Sequence, residues 1–256
     1  MSGRPAALVT GGRRGIGRGV AWALAERGFD VAIADVERDA AAEETLAGLS
    51  ARGARGVFLP ADVAAIETHE ALLDGVGEAF GRLDCLVNNA GVSTLALGDL
   101  LEVTPESYDR VFAVNTRGGF FLAQAAARRM LRAAAPETPR SIVFVTSANA
   151  VLVSHNRGDY CMSKAGASMA ARLFAARLGE AGVAVHEIRP GYIATDMTAR
   201  ARERYDGLIT EGATPIRRWG QPEDVGRAVA SLAAGDIPFT TGAAFTIDGG
   251  LQLHRA

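Results

Sequence analysis

Seven short apolar runs, each followed by a longer stretch of helical character, organise the chain from Ala7 to Ile247. They are Ala7 to Thr10, Asp30 to Asp35, Gly56 to Pro60, Leu83 to Asn88, Ser141 to Ser147, Val183 to Arg189 and Ala243 to Ile247. Each is nearly continuous in Val, Ile, Leu and Ala, as strands are when helices cover both faces of their sheet. Helices are predicted between them over Gly15 to Gly28, Ala40 to Arg52, Ala65 to Gly81, Pro105 to Ala135, Tyr160 to Gly179 and Pro222 to Ala234. Thr104-Pro105 and Gln221-Pro222 supply start signals, and Gly28 and Gly179 supply stops. This alternation implies right-handed crossovers and a doubly wound, Rossmann-like α/β fold with a seven-stranded parallel sheet. A single domain over 1–256 is expected, since a chain of this length buries an adequate core without staples. Tyr192 to Gly220 stands outside the alternation and is predicted to form a small helical lid.

Ligands of such sheets bind at the carboxyl ends of the strands, where the strand order reverses. Directly after the first strand comes Thr10-Gly-Gly-Arg-Arg-Gly-Ile-Gly17. Gly11, Gly15 and Gly17 allow a tight turn and a close backbone approach, Ile16 opens the helix, and the helix N-terminus favours a pyrophosphate. A chain with 30 glycines produces such patterns by accident, but the strand before and the helix after this one select dinucleotide binding. Asp35 closes the second strand, where it can chelate the adenosine ribose hydroxyls and would repel a 2′-phosphate. Arg13 and Arg14 argue the other way, because a guanidinium in this loop could pair that phosphate. NAD is therefore the expected cofactor, with NADP second.

Composition removes several other classes. A formal charge of −2 with 22% charged residues gives no basic field for nucleic acid or an anionic membrane. The N-terminal apolar run is too short for a signal peptide or a membrane span. Cys85 and Cys161 lack CxxC spacing, so inert thiols in a reducing cytoplasm are expected. His69, His155, His186 and His254 form no metal-ligand pattern, and no catalytic metal is expected.

Lys164 is the only lysine among 27 basic side chains, and it follows Tyr160 by four residues on a predicted helix. The two share a face. A phenol titrates near pH ~10, and acid–base work near neutrality needs its anion stabilised by roughly 4 kcal/mol. One cation about 4 Å away, at an effective dielectric near 20, supplies about that much. An ammonium can also hold ribose hydroxyls and join a proton chain, which a permanently charged guanidinium cannot. Ser147, at a strand's carboxyl end, is well placed to assist, its alternative being a helix-cap or turn serine.

Together, the Thr10 to Gly17 turn, Asp62-Val63, Asn88-Asn89-Ala90-Gly91, Asn115, Ser147, Tyr160xxxLys164, and Pro190-Gly191 followed by Thr195 resemble the short-chain dehydrogenase/reductase family of compact type, over essentially the whole chain. The resemblance implies a hydride-transferring oxidoreductase with an Asn115, Ser147, Tyr160 and Lys164 tetrad. Tyr160 would act as acid or base, Ser147 would hold the substrate oxygen, Lys164 would bind the nicotinamide ribose and depress the phenol's pKa, and Asn115 would anchor a water. It also implies cofactor contacts by Gly11, Arg14, Gly15, Ile16, Gly17, Asp62, Val63, Asn89, Ala90, Gly91, Pro190, Gly191, Ile193 and Thr195, and a homotetramer acting on a small carbonyl or alcohol. Two rival readings are a 3-oxoacyl-[acyl-carrier-protein] reductase and a non-catalytic cofactor-binding sensor. Family members that dock the carrier use arginines near the end of the central helix and before the sixth strand. Here the second place reads Glu180-Ala181-Gly182, and the first is displaced by Ala133 to Pro139. Substrate selection would fall to Ala148 to Asp159, Tyr192 and the lid, with Asn149, Ser154, His155, Asn156, Arg157, Arg200, Arg202 and Arg204 on offer.

Overall fold

A computed structural model describes residues 3–133, 138–199 and 201–253. His254, Arg200 and residues 134–137, which carry parts of the expectations above, lie outside the described residues.

The strands are β1 (Ala6–Thr10), β2 (Asp30–Asp35), β3 (Gly56–Pro60), β4 (Cys85–Asn88), β5 (Arg140–Val145), β6 (Val183–Pro190) and β7 (Ala244–Ile247). They pair in parallel in the order β3-β2-β1-β4-β5-β6-β7. The apolar runs are continuous because successive side chains enter different cores. Ala6, Leu8, Leu86, Ile142 and Phe144 face one, whereas Ala7, Val9, Val87 and Val143 face the other. Each fully buried branched aliphatic side chain contributes about 1.5–3 kcal/mol.

Helices α1 (Gly15–Glu26), α2 (Ala40–Ala51) and α9 (Pro222–Ala233) accompany one core, while α3 (His69–Phe80), α5 (Gly119–Arg132) and α6 (Gly158–Leu178) accompany the other. The strand order reverses between β1 and β4, so the loops after β1, β4, β5 and β6 converge on one end of the sheet.

The central helix differs from expectation. In place of one helix from Pro105 there are α4 (Pro105–Phe112), a π-helical segment (Ala113–Gly118) and then α5. The wide turn accommodates Asn115, whose amide bonds outward to the Val92 backbone. The third predicted helix likewise begins as a 3₁₀ turn (Ile66–Thr68) before α3. Between β6 and α9, Tyr192 to Gly220 carries α7 (Asp196–Ala199) and α8 (Arg202–Thr210), and an Ile193–Gly220 bridge joins its two ends.

Candidate active site

The glycine turn is held by geometry that only glycine permits. A Cβ on Gly17 would stand 2.0 Å from the Gly11 carbonyl oxygen, and Gly15 has φ +55°. Opposite this turn, the Asn89 Nδ2 donates to the carbonyls of Thr10 (2.9 Å) and Gly11 (3.2 Å), while Thr10 Oγ1 accepts from the Asn89 and Ala90 amides at 3.0 Å each. Asn89 therefore ties β4 to β1, and its amide is committed to backbone. Thr195 approaches Gly15 from the β6 side, its Cγ2 lying 3.4 Å from where a Cβ would be. Gly191 follows Pro190 at the end of β6 and donates to Ile247 O at 3.0 Å. Ile16 packs on the α1 core, and Ile193 is buried in it.

Asp35 closes β2 and faces the Arg13 guanidinium at 3.4 Å, and Glu37 and Asp39 hold the same guanidinium. Arg14 pairs with Asp196 of α7 at 2.9 Å, beside the glycine turn. Asp62 Oδ1 accepts from the Ala64 amide, and the Val63 carbonyl accepts from His69 Nε2 at 2.9 Å. These groups fit a dinucleotide: the bare turn would be filled by any side chain, and a Cβ on Gly91 would meet Asn115 Oδ1 at 3.2 Å and Lys164 Nζ at 3.3 Å.

Ser147 lies just beyond β5, and Tyr160 and Lys164 lie one turn apart on α6, whose start is secured by buried Asp159. Asp159 Oδ2 accepts from Ser107 Oγ on α4 at 2.6 Å, and its Oδ1 accepts from the Tyr160 amide at 2.7 Å. Asn115 reaches the same group. Its Oδ1 accepts from Val92 N at 2.8 Å, and its Nδ2 donates to Val92 O at 2.9 Å and to Ser163 Oγ at 3.0 Å. The four tetrad residues thus converge at the carboxyl end of the sheet. His155 is exposed in the preceding loop.

One electrostatic expectation is corrected. Burial pushes the Tyr160 phenol above its ordinary value, outweighing the Ser147 hydrogen bond and the nearby Arg157 charge, both of which lower it. Lys164 Nζ sits 5.8 Å from the Tyr160 ring centroid and donates to Val145 O at 3.1 Å. Burial also lowers the Lys164 pKa, to about 8, with Glu187 opposing. The Cys85 thiol, likewise buried, is pushed up to about 12.

Glu187 belongs to a network that sequence reading missed. Its Oε1 accepts from Thr146 Oγ1 (2.6 Å) and Arg189 Nε (2.8 Å), and its Oε2 accepts from Ser168 Oγ (2.8 Å) and Arg189 Nη2 (2.9 Å). Thr146 precedes Ser147, and Ser168 lies one turn after Lys164, so one carboxylate braces both halves of the tetrad. A signal was present in the strand: Glu187 and Arg189 are two apart, on one face of an otherwise apolar run. Among the described residues no cluster of His, Cys, Asp or Glu could hold a metal, and no helix is long and apolar enough to cross a membrane.

A dinucleotide cradle at the switch point of a parallel sheet, set beside a Ser–Tyr–Lys group, defines a nicotinamide-dependent oxidoreductase, and comparison with known proteins gives the family. The model described as enoyl-(acyl carrier protein) reductase matches residues 11–252, and the chain belongs to the short-chain dehydrogenase/reductase family, acting on CH–OH/C=O groups. It is 33% identical over 252 residues to L-rhamnose 1-dehydrogenase (NAD(P)(+)) of Sphingomonas sp. (strain SKA58), with 96% of each chain covered. It is 32% identical to 3-oxoacyl-[acyl-carrier-protein] reductase of Staphylococcus aureus (strain Mu50 / ATCC 700699), covering 96% of this chain and 98% of that protein. Among solved structures, 3-oxoacyl-[acyl-carrier protein] reductase from Brucella melitensis in complex with NAD superposes with a TM-score of 0.96 at 49% identity, covering 99% of both chains.

Proposed function

We propose that the protein interconverts a small carbonyl compound and its secondary alcohol at the Tyr160 hydroxyl, using NAD. The supporting observation is the placement of Ser147 just beyond β5 beside the start of α6, which carries Tyr160 with Lys164 one turn behind. Tyr160 gives the proton to, or takes it from, the substrate oxygen, and Ser147 supplies a second hydrogen bond to that oxygen as its charge develops. Lys164 would hold the nicotinamide ribose. A cavity of about 10 Å³ lined by Asn115, Lys164 and Asn88 offers about the room one water needs, on the path a proton would take to solvent. When bound, the nicotinamide supplies or accepts hydride, which is the part of the chemistry no side chain performs.

Gly11, Gly15, Gly17 and Ile16 would bear the pyrophosphate end, Asp62 and Val63 the adenine, Ala90 and Gly91 the ribose side, and Pro190, Gly191, Ile193 and Thr195 the carboxamide. NAD is preferred over NADP because Arg13 is already engaged by three carboxylates, and a 2′-phosphate would have to displace them beside Asp35. Residues 192–220 act as the lid, latched to the glycine turn through Arg14 and Asp196.

The assembly is a homotetramer. Its support is an apolar cavity of about 570 Å³ lined by Phe112, Phe120, Phe121, Met169 and Leu173 between α5 and α6, where Phe121, Met169 and Leu173 are exposed. The compartment is the cytoplasm, consistent with two free cysteines.

A second reading, reduction of carrier-bound 3-oxoacyl groups, is favoured by the Brucella relative. Against it, Arg129 near the end of α5 is occupied by Asp74 and Glu70. The deciding test is a carbonyl and alcohol panel followed at the nicotinamide absorbance with each cofactor. Tyr160→Phe should abolish turnover while cofactor binding persists, and Lys164→Arg should lose most activity near neutral pH. Normal turnover in either variant would overturn the assignment.

A further inference from the structure

Arg157 immediately precedes α6, three residues before Tyr160. Its Nη2 donates to Tyr205 Oη at 3.1 Å, and its Nε is buried with no partner. Other partly buried guanidiniums, Arg13, Arg82 and Arg189, each hold a carboxylate. Among the described residues Arg157 has none. The acid nearest in sequence, Asp159, is committed to Ser107 and the Tyr160 amide.

The guanidinium is also aimed. Tyr205 on α8 is stacked on Tyr192 with centroids 4.4 Å apart and meets Trp219 edge-on at 5.8 Å, so its hydroxyl is a fixed acceptor. Held by Tyr205, which stacks on Tyr192, the guanidinium stands between the start of α6, which carries Tyr160, and the aromatic wall formed by Tyr192 and Tyr205. A partly buried cation with a neutral anchor and a buried, unsatisfied donor is costly unless an anion completes it.

We infer that Arg157 binds a carboxylate of the substrate, so that the enzyme acts on small hydroxy and oxo acids carrying a free carboxylate close to the reacting carbon. This rests on the reading of Tyr160 and Ser147 as the carbonyl site and specifies its substrate class. Arg157 directly precedes α6, three residues before Tyr160, which keeps the carboxylate near that carbon. The carboxylate undergoes no bond change. It fixes orientation, and Arg157 contributes a planar donor pair matched to two oxygens. A carrier-bound thioester presents no such anion, so the inference also separates this enzyme from the carrier-dependent reading.

The test uses the full-length enzyme with NAD, offered α-, β- and γ-hydroxypentanoate and the methyl ester of each. At least one acid should be oxidised with a kcat/KM at least about tenfold above its ester, as one charge-assisted contact would give. Arg157→Met should lower the value for the acid about 10- to 100-fold and for the ester less than about threefold, and Arg157→Lys should retain part of the preference. In parallel, pentanoate and methyl pentanoate are titrated calorimetrically into the enzyme loaded with NAD, where the anion should bind at least about tenfold tighter in an Arg157-dependent manner. Equal handling of acid and ester, equal losses for both in Arg157→Met, or no selective binding of pentanoate would overturn the inference. Failure of the underlying dehydrogenase reading looks different: pentanoate would still bind through Arg157, but no hydroxy compound would reduce the cofactor.

Discussion

Thr146 Oγ1 donates a 2.6 Å hydrogen bond to Glu187 Oε1, joining the strand that leads to Ser147 to a carboxylate only 1% exposed. Through the same carboxylate, Ser168 and Arg189 connect α6 to β6. The position of Lys164 relative to Ser147 thus depends on a buried charge that touches neither substrate nor cofactor.

Glu187→Gln leaves the Arg189 guanidinium buried without its counter-charge. Loss of one partner of such a pair costs about 3–5 kcal/mol, and urea denaturation should show a loss of that order. Glu187→Gln combined with Arg189→Met should recover much of it. Besides burial, the charge that acts on Lys164 is that of Glu187 from β6. Because Glu187 holds the Lys164 pKa up, the single variant should move the alkaline limb of reductive kcat/KM to lower pH. An unmoved limb would show that Glu187 acts on packing alone.

Lys164 makes stability depend on pH in a defined direction. Its pKa is about 8 in the fold against an ordinary 10.5, so between these values the unfolded chain binds the extra proton and stability rises with pH. Below about pH 8 the fold carries the whole cost, roughly 3 kcal/mol before the Val145 hydrogen bond is set against it. Lys164→Met should therefore unfold at higher urea at pH 7, by about 2 kcal/mol, with the advantage closing toward pH 10.5, and it should be inactive. A variant less stable than the parent at pH 7 would contradict this.

Asp35 and Arg13 set the cofactor preference together. Asp35→Ala removes the carboxylate that faces a 2′-phosphate and loosens one of three holds on Arg13. The ratio of kcat/KM for NAD over NADP should fall about 10- to 100-fold, equivalent to roughly 1.4–2.7 kcal/mol. A ratio that stays constant would assign selectivity elsewhere.

The sheet was legible because its signal is one-dimensional. Asp30–Asp35 and Gly56–Pro60 appear with the expected limits, since an apolar run ends where the strand leaves the core. Leu83 and Ser147 fall outside β4 and β5 because hydrophobic runs overshoot the ladder hydrogen bonds. The glycine turn was readable from position, and the Tyr160–Lys164 pair from helical spacing. Direction was not readable. Spacing puts Lys164 on the face of Tyr160, but the Val145 carbonyl at a strand end determines where the ammonium points. Arg157 could be named from sequence only as one of several arginines near the site. Its neutral anchor comes from α8, 48 residues away.

The π-helical segment at Ala113–Gly118 carries a consequence for how this chain can vary. An α-helix advances about 100° per residue, so deleting any one residue there would restore regular winding while rotating Asn115 against everything after it. The local backbone would relax and the amide would swing off Val92 and Ser163. Insertions and deletions in this stretch are therefore screened by phase, and a homologue whose central helix runs unbroken must hold the segment at Val92 and the helix at Ser163 by some other support.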